Sequence, residues 1–328
     1  MKLAALFRTG AFVLVAACAG AASWLAPAAH AAAPLAKEQA PGFYRLMVGD
    51  FQVTALSDGT VALPVDQLLT RTTPAQVKKI LARSHLESPL ETSVNGYLIN
   101  TGSKLVLIDT GAANLFGPTL GNLLSNLKAS GYQPEQIDEI YITHLHADHV
   151  GGATLNGQAA FPNAIIRTDK REGDFWLSKE NLEKAPEAMK GFFQGAQASM
   201  KPYVDAGKYK PFDGDGELVP GIRSMATYGH TPGHTVYVVE SKGQKLVVWG
   251  DLMHVAAVQF AEPSVTIQFD SDSKRAAPQR KKAYAEAAKG GYYVAVAHVS
   301  FPGIGQLRAD GKGYRWLPAN YTSNTPSK

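Results

Sequence analysis

Short continuous runs of apolar residues, each bounded by turn residues, predict buried strands. Residues 96–109 form a predicted hairpin whose second strand is apolar throughout, as in a strand covered on both faces. Residues 236–249 repeat that arrangement. Residues 51–63 predict two further strands around a turn at 57–59, and 137–142 predicts a buried strand that leads directly into a cluster of histidines. Sheets are therefore expected in both halves of the chain.

Sets of apolar residues at helical spacing lie between these strands. They occupy 120–128, 170–176 and 274–288. A run at 292–297 is the final predicted strand. Two halves, each with paired strands beside helices, predict two sheets packed face to face with helices outside, which is an α/β fold of the four-layer αββα sandwich type.

The first 31 residues have the layout of a secretory signal peptide. The basic residues Lys2 and Arg8 precede an apolar run at 10–20, and small residues follow up to an A-x-A site that ends at Ala31. The apolar run is shorter than the roughly 20 residues that a membrane-spanning helix needs. The sequence therefore predicts cleavage after Ala31 and a periplasmic or secreted protein, with lipoprotein processing at Cys18 as the alternative.

The remaining residues, 32–328, are predicted to form a single domain, because they contain no internal repeat and no low-complexity linker. Loss of the two basic residues of the leader lowers the formal net charge from +4 to +2, and no basic run remains that would bind nucleic acid. The single cysteine also leaves with the leader. Any metal must therefore bind through nitrogen and oxygen ligands.

The segment 144–149, His-Leu-His-Ala-Asp-His, carries the densest set of potential metal ligands in the chain. Residues two apart in an extended segment point the same way, so His144 and His146 can bind one ion together. Asp148 and His149 then face an adjacent position where a second ion could lie. Nitrogen and oxygen ligands at this density suit zinc, and also manganese, iron or cobalt.

This H-x-H-x-D-H pattern resembles the metallo-β-lactamase superfamily, and other landmarks of that superfamily follow in order over nearly all of residues 32–328. Asp109 comes after a buried strand, within Asp-Thr-Gly. His230 and His234 lie in the segment Gly-His-Thr-Pro-Gly-His. Asp251 and His298 each follow a predicted strand. The combination and its order carry the resemblance, since each of the later motifs is weak by itself.

The resemblance implies a binuclear metal centre with seven ligands. The first metal would be held by His144, His146 and His230, the second by Asp148, His149 and His298, and Asp251 would bridge both. Asp109 and His234 would orient these ligands from behind. Two such cations bind a water between them and lower its pKa toward ~7, so that the resulting hydroxide can attack a carbonyl or phosphoryl centre. Asp148 is expected to relay a proton to the departing oxygen.

Several activities within the superfamily fit this chain poorly. Zinc β-lactamases generally lack a bridging aspartate equivalent to Asp251, and the basic residues that glyoxalase-type thioesterases use for glutathione are not found here. Nuclease members are opposed by the export signal and the near-neutral charge. A redox role would need a flavin-binding domain and a carboxylate in place of a histidine ligand such as His146. A non-catalytic binding module would be expected to have lost ligands.

A more specific resemblance is to the methyl parathion hydrolase branch and its lactonase relatives. It is carried by the stretches 33–44, 92–94 with 96–97, 174–178 and 301–305. It implies a homodimer and an aromatic pocket over the metals. The residues expected to line that pocket are Phe116, Trp176, Phe192 and Phe193.

The chain departs from the organophosphate-degrading pattern at four positions and in one loop length. Leu69 stands where that enzyme has arginine, His254 where it has leucine, and Ile267 and Phe269 replace smaller side chains; the loop before Phe192 is one residue shorter. This bulk should crowd a tetrahedral phosphotriester more than a flat ring ester. We therefore expect a hydrolase of small aryl lactones or aryl esters such as dihydrocoumarin. Phosphotriester hydrolysis is the alternative, and an acyl-homoserine lactone substrate remains open.

Overall fold

The computed structural model describes residues 33–37 and 39–323. The predicted signal peptide, including Cys18 and the cleavage site, lies outside these residues. The described residues up to Gln39 have no regular secondary structure, and the described residues from Ala40 onward form one compact unit. Among the described residues, no helix combines the length and the apolar character needed to cross a bilayer.

Seventeen strands and nine α-helices make up the described part of the chain. The strands are β1 (Phe43–Val48), β2 (Phe51–Leu63), β3 (Leu69–Thr70), β4 (Leu90–Asn100), β5 (Leu105–Ile108), β6 (Glu139–Tyr141), β7 (Thr154–Leu155), β8 (Gln158–Ala159), β9 (Ile165–Arg167), β10 (Gly216–Val219), β11 (Ile222–Ala226), β12 (Thr235–Ser241), β13 (Gln244–Val248), β14 (Thr266–Ile267), β15 (Tyr293–Ala295), β16 (Ile304–Asp310) and β17 (Gly313–Pro318). The helices are α1 (Val65–Leu68), α2 (Pro74–Ala82), α3 (Leu123–Ala129), α4 (Ala147–Val150), α5 (Lys170–Trp176), α6 (Lys179–Lys184), α7 (Glu187–Asp205), α8 (Ala256–Gln259) and α9 (Ser273–Gly290).

Most of the strands form two sheets. The first has the spatial order β1-β2-β4-β5-β6-β9, and the second has the order β10-β11-β12-β13-β15-β16-β17. Neighbouring strands are antiparallel except that β5, β6 and β9 run parallel to one another, as do β13 and β15. The parallel strands are the buried apolar runs of the sequence, as expected for strands covered on both faces.

Alternate residues of the central strands face opposite layers. In β4, Tyr97 and Ile99 pack in the core between the two sheets, whereas Leu98 faces the helices that cover the first sheet. In β12, Tyr237 faces the other sheet and Val238 faces away from it. This two-residue period produces one core between the sheets and a further core on the outside of each.

Helices cover both outer faces. Leu127 of α3 and Met200 of α7 pack on the first sheet, and Tyr284 and Ala287 of α9 pack on the second. Each helix thus buries the apolar stripe that its spacing predicts. The order of layers is helix, sheet, sheet, helix, which confirms the predicted αββα sandwich.

The prediction of two strands within 51–63 is wrong, because β2 is continuous and contains a bulge between Ser57 and Gly59. The extra residue, Asp58, is buried. The sequence Ser-Asp-Gly, which is typical of a turn, therefore forms a bulge here and directs a carboxylate into the protein. That carboxylate accepts hydrogen bonds from the backbone amides of Ala112, Gly121 and Leu123.

Two other expectations also need correction. The run at 292–297 is not the final strand, since β15 ends at Ala295 and is followed by β16 and β17 at the sheet edge. Phe192 and Phe193 do not directly follow a loop, because α7 is already helical from Glu187. Polar residues on the exposed face of α7 hide its helical period from a reading that seeks continuous apolar runs.

We predict that Tyr237→Phe destabilises the protein. The Tyr237 hydroxyl donates a 2.7 Å hydrogen bond to the buried carbonyl of Ile142 and so links the second sheet to the end of β6. Its loss should lower the free energy of unfolding by about 1–3 kcal/mol. Urea unfolding followed by circular dichroism measures the change.

Tyr284→Phe is the matched control. The Tyr284 hydroxyl is buried and has no hydrogen-bond partner among the described residues, so its removal should cost no stability. Equal losses in the two variants would contradict the role assigned to the Tyr237 hydroxyl.

Candidate metal centre

The histidine-rich segment begins where β6 leaves the first sheet. His144 and His146 lie in an extended stretch, and Asp148 and His149 lie in the single turn of α4 that follows. Gly152 then allows the loop to pack closely, because a Cβ atom at that position would lie 2.0 Å from the carbonyl oxygen of Thr110. The extended stretch after the strand and the helical turn that follows it direct all four polar side chains toward the same place.

Three histidines from two segments surround one position. The Nε2 atom of His230 lies 3.2 Å from Nε2 of His144 and 3.2 Å from Nδ1 of His146. Oδ2 of Asp251 lies 3.2 Å from Nε2 of His230 and 3.5 Å from Nε2 of His144. Tetrahedral zinc with ligands at about 2.0–2.1 Å separates those ligands by roughly 3.3 Å, so the spacing fits a cation.

A second group lies on the other side of Asp251. Oδ1 of Asp251 is 3.1 Å from Nε2 of His149 and 3.1 Å from Nε2 of His298. Both of these nitrogens are also 3.5 Å from Oδ2 of Asp148. The two carboxylate oxygens of Asp251 thus face two different sets of donors.

The donor atoms have the properties expected of a cation site. Nε2 of His149 and Oδ1 of Asp251 are buried, and neither makes a hydrogen bond within the described structure although they are close together. Burial and neighbouring imidazoles lower the pKa of His144 and His146 well below the usual range, so both are neutral and able to bind a metal. The residues present therefore fit divalent metal ions.

The carboxylate of Asp251 is ionised. Burial alone would raise the pKa of Asp251, but His149 and His298 outweigh burial and hold it well below the usual range. His149 is affected in the opposite sense, since Asp251 and Asp148 raise its pKa despite its burial. Buried negative charge of this kind needs a positive partner, which a protonated imidazole or a metal ion can provide.

Asp109 and His234 lie directly behind the cluster. Oδ2 of Asp109 is 2.8 Å from Nδ1 of His149, and the same carboxylate accepts hydrogen bonds from the amide and the hydroxyl of Thr143. Nε2 of His234 accepts a 3.0 Å hydrogen bond from the amide of Asp251. Burial lowers the pKa of His234 to about 3, so its ring is neutral and can accept this bond.

Asp270 supports the cluster and was missed by the sequence analysis. Its Oδ1 lies 3.0 Å from Nδ1 of His230, and its carboxyl group is fully buried. Nδ1 of His298 is held in the same way by the carbonyl oxygen of Ser93, at 2.9 Å. A metal-binding histidine usually gives its second ring nitrogen to such an acceptor. The sequence carried no local signal for this contact, because Asp270 lies 40 residues after His230.

Two of the predicted aromatic residues lie against the ligands. The rings of Trp176 and Phe192 are centred 5.3 and 5.4 Å from the ring of His146. Phe193 packs instead in the core of the first sheet, where its ring contacts Trp176. Phe116 lies on the loop between β5 and α3 and is 39% exposed.

The other predicted pocket residues lie in a different part of the fold, around β3 and β14. Leu69 of β3 pairs with Ile267 of β14, and both are buried. The half-buried ring of Phe269 lies 6.1 Å from that of His254. Nε2 of His254 is itself 2.9 Å from Oδ2 of Asp251, so His254 is close enough to the cluster to be a further donor.

Comparison with known proteins identifies relatives with the same fold. The model of the family described as the metallo-beta-lactamase superfamily matches residues 90–298. An N-acyl homoserine lactonase from Bacillus thuringiensis subsp. kurstaki is 32% identical over 165 residues, which cover 44% of this chain and 58% of that protein. The matched region thus spans little more than half the length of this curated relative.

Two solved structures resemble nearly the whole described chain. One is described as the hydrolase AbOPH of the beta lactamase superfamily; it is 40% identical, with a TM-score of 0.83 over 87% of this chain and 100% of that one. The other is AidC, described as a dizinc quorum-quenching lactonase in complex with an N-acyl homoserine product. It is 28% identical, with a TM-score of 0.79 over 86% of this chain and 99% of that one.

We predict that Asp270→Asn weakens zinc binding. An amide is a poorer acceptor than a carboxylate for Nδ1 of His230, so the zinc Kd should rise roughly tenfold or more. Chelator competition on the metal-free protein measures it. Asp272→Asn is the control, because Asp272 caps α9 and asparagine caps a helix equally well. Similar zinc affinities in the two variants would rule out the support assigned to Asp270.

Proposed function

Because the chain belongs to the metallo-beta-lactamase superfamily, we propose that it is a hydrolase that opens small lactones or aryl esters at a pair of zinc ions. The observation that carries this proposal is the position of Asp251. Its two oxygens face two separate sets of donors, each with histidine nitrogens 3.1–3.5 Å away. A site for a single metal ion would need only one of these two sets of donors.

The proposed ligands follow from these groups. The first ion would be held by His144, His146 and His230 and the second by Asp148, His149 and His298, with Asp251 shared. All these ligands are nitrogen or oxygen atoms, which zinc accepts in hydrolytic sites. The description of AidC as a dizinc enzyme supports this assignment.

A pair of divalent cations at such a site supplies an activated water and polarises the carbonyl oxygen of an ester. The protein's own contribution is to hold the donors and to exclude bulk water, since six of the seven side chains are almost fully buried. Asp148 is the exception, with 17% of its side chain exposed. A carboxylate oxygen of Asp148 is therefore the atom proposed to accept the proton lost by the attacking water and to pass that proton to the departing oxygen.

The pocket residues support a flat substrate. The rings of Trp176 and Phe192 lie against His146, and the ring of Phe269 lies beside that of His254. We expect a planar lactone to be accommodated beside these rings more readily than a tetrahedral phosphotriester with two alkoxy groups. The curated relatives named N-acyl homoserine lactonases also favour a ring ester. Export through the predicted signal peptide belongs to the same proposal.

Substrate preference tests this proposal directly. On zinc-loaded protein lacking the leader, kcat/KM for dihydrocoumarin should exceed kcat/KM for methyl paraoxon at least tenfold, about 1.4 kcal/mol in transition-state stabilisation. N-hexanoyl homoserine lactone should be compared in the same assay. A preference for methyl paraoxon would favour the alternative, a phosphotriesterase, to which the sequence resemblance also points. Turnover of none of the three would overturn the proposal.

Phe269→Ala should shift this preference toward the phosphotriester. Removal of the ring opens space beside His254, so the ratio of the lactone kcat/KM to the triester kcat/KM should fall severalfold. Phe212→Ala is the matched control, because Phe212 is also half-buried and its ring lies beside that of Tyr237 rather than beside a predicted pocket residue. The ratio is used because it cancels any loss of active protein. An unchanged ratio in Phe269→Ala would show that Phe269 does not select the substrate.

A further inference from the structure

Glu172 is a buried carboxylate that no metal-ligand assignment uses. It lies in the first turn of α5, and none of its surface is exposed to solvent. Its Oε1 atom accepts a 2.8 Å hydrogen bond from the amide of Leu145. Its Oε2 atom accepts 2.8 Å hydrogen bonds from the hydroxyl of Thr231 and the amide of Gly233. One side chain thus satisfies three buried donors.

The three donors belong to the two segments that carry the first group of ligands. Leu145 lies between His144 and His146, and Thr231 follows His230 directly. Each end of the Glu172 carboxylate therefore contacts one ligand segment. The histidine nitrogens of those segments lie 3.2 Å apart. The amide of Thr235 also donates a 3.0 Å hydrogen bond to the carbonyl of Thr143, and Glu172 adds a second link between the segments that lies next to the histidines themselves.

Gly233 allows this contact. A Cβ atom at Gly233 would lie 2.4 Å from the backbone nitrogen of Glu172, so any larger residue would push the His230 segment away from α5. This close approach brings the His230 segment next to α5, and the hydrogen bonds from Thr231 and Gly233 join the same two parts of the chain. The sequence Gly-His-Thr-Pro-Gly-His thus supplies a ligand, a hydroxyl donor and the clearance that the carboxylate needs.

Burial of a carboxylate is costly for stability alone. Burial raises the pKa of Glu172, and the hydrogen bonds from Leu145, Thr231 and Gly233 act against that rise. A well-packed apolar residue would avoid the desolvation penalty. We therefore explain the buried acid at this place by the two ligand segments that it holds in position.

We propose that Glu172 is a positioning residue that holds His144, His146 and His230 at the spacing required by the first metal. The inference rests on the proposed ligand assignment. It adds that this spacing is set by the protein before the metal binds, through the link from α5. It predicts that the charge and the length of Glu172 affect metal affinity more than they affect folding.

Glu172→Gln tests the link while keeping the shape of the side chain. The amide group must face its NH2 toward either the Leu145 amide or the Gly233 amide, so one of the two segments loses its acceptor. We expect the Kd of the weaker zinc step, measured by chelator competition on metal-free protein, to rise about 10- to 100-fold. The visible absorption of the cobalt-loaded protein should change in intensity, because the ligand geometry at the first position is altered.

Glu139→Gln is the matched control. Glu139 is also buried and accepts hydrogen bonds from the Tyr141 hydroxyl at 2.9 Å and from Nε of Arg167 at 2.8 Å, but it contacts neither ligand segment. It should lose stability and keep the zinc affinity and the cobalt spectrum of the wild type. Thr231→Val removes only one of the three donors and should give a smaller rise in the zinc Kd than Glu172→Gln.

The outcomes separate this inference from the proposed function. Zinc affinity and cobalt spectrum unchanged in Glu172→Gln, with stability lowered as in Glu139→Gln, would overturn the positioning role. If Glu172→Gln fails to fold, an unchanged zinc affinity in Thr231→Val would overturn it instead. Weakened zinc binding in a protein that hydrolyses none of the lactones or esters would support the positioning role and contradict the proposed function.

Discussion

The carboxylate of Asp251 is the constraint on which the surrounding structure depends. It is buried and ionised, and its two oxygens face two sets of histidine nitrogens at once. A buried charge of this kind is stable only where its partners are held at fixed distances. The residues behind the cluster hold these partners in place. Asp109 contacts His149, Asp270 contacts His230, and His234 accepts a hydrogen bond from the amide of Asp251 itself.

The αββα architecture explains why the proposed ligands, which are far apart in sequence, meet at this point. The segment 144–149 follows β6 of the first sheet, Asp251 follows β13 of the second, and His298 follows β15. These are buried parallel strands, and parallel strands end at the same edge of a sheet. Because the two sheets pack face to face, the two edges form one site, and their rigid strands limit the movement of the ligands.

The local sequence pattern predicted those parts of the arrangement that depend on residues close together in the chain. The apolar runs before His144 and Asp251 predicted buried strands, and the two sheets with outer helices followed from them. It failed at Asp58, where a turn-like sequence forms a bulge, and in α7, whose polar face hides its period. Asp270 and Glu172 were missed for a different reason. The partner of Asp270, His230, lies 40 residues before it, and the partners of Glu172 include Leu145, 27 residues before it, and Gly233, 61 residues after it. No spacing rule connects such positions.

X-ray absorption at the zinc edge of the loaded protein tests the central claim most directly. If Asp251 bridges two ions, the spectrum should fit a first shell of nitrogen and oxygen atoms only, together with a zinc–zinc scattering path at about 3.5–4 Å. Metal analysis of the same sample should then give two zinc ions per chain. One zinc per chain and no metal–metal path would contradict a bridged pair, and with it the role of Asp251 from which the proposed chemistry follows.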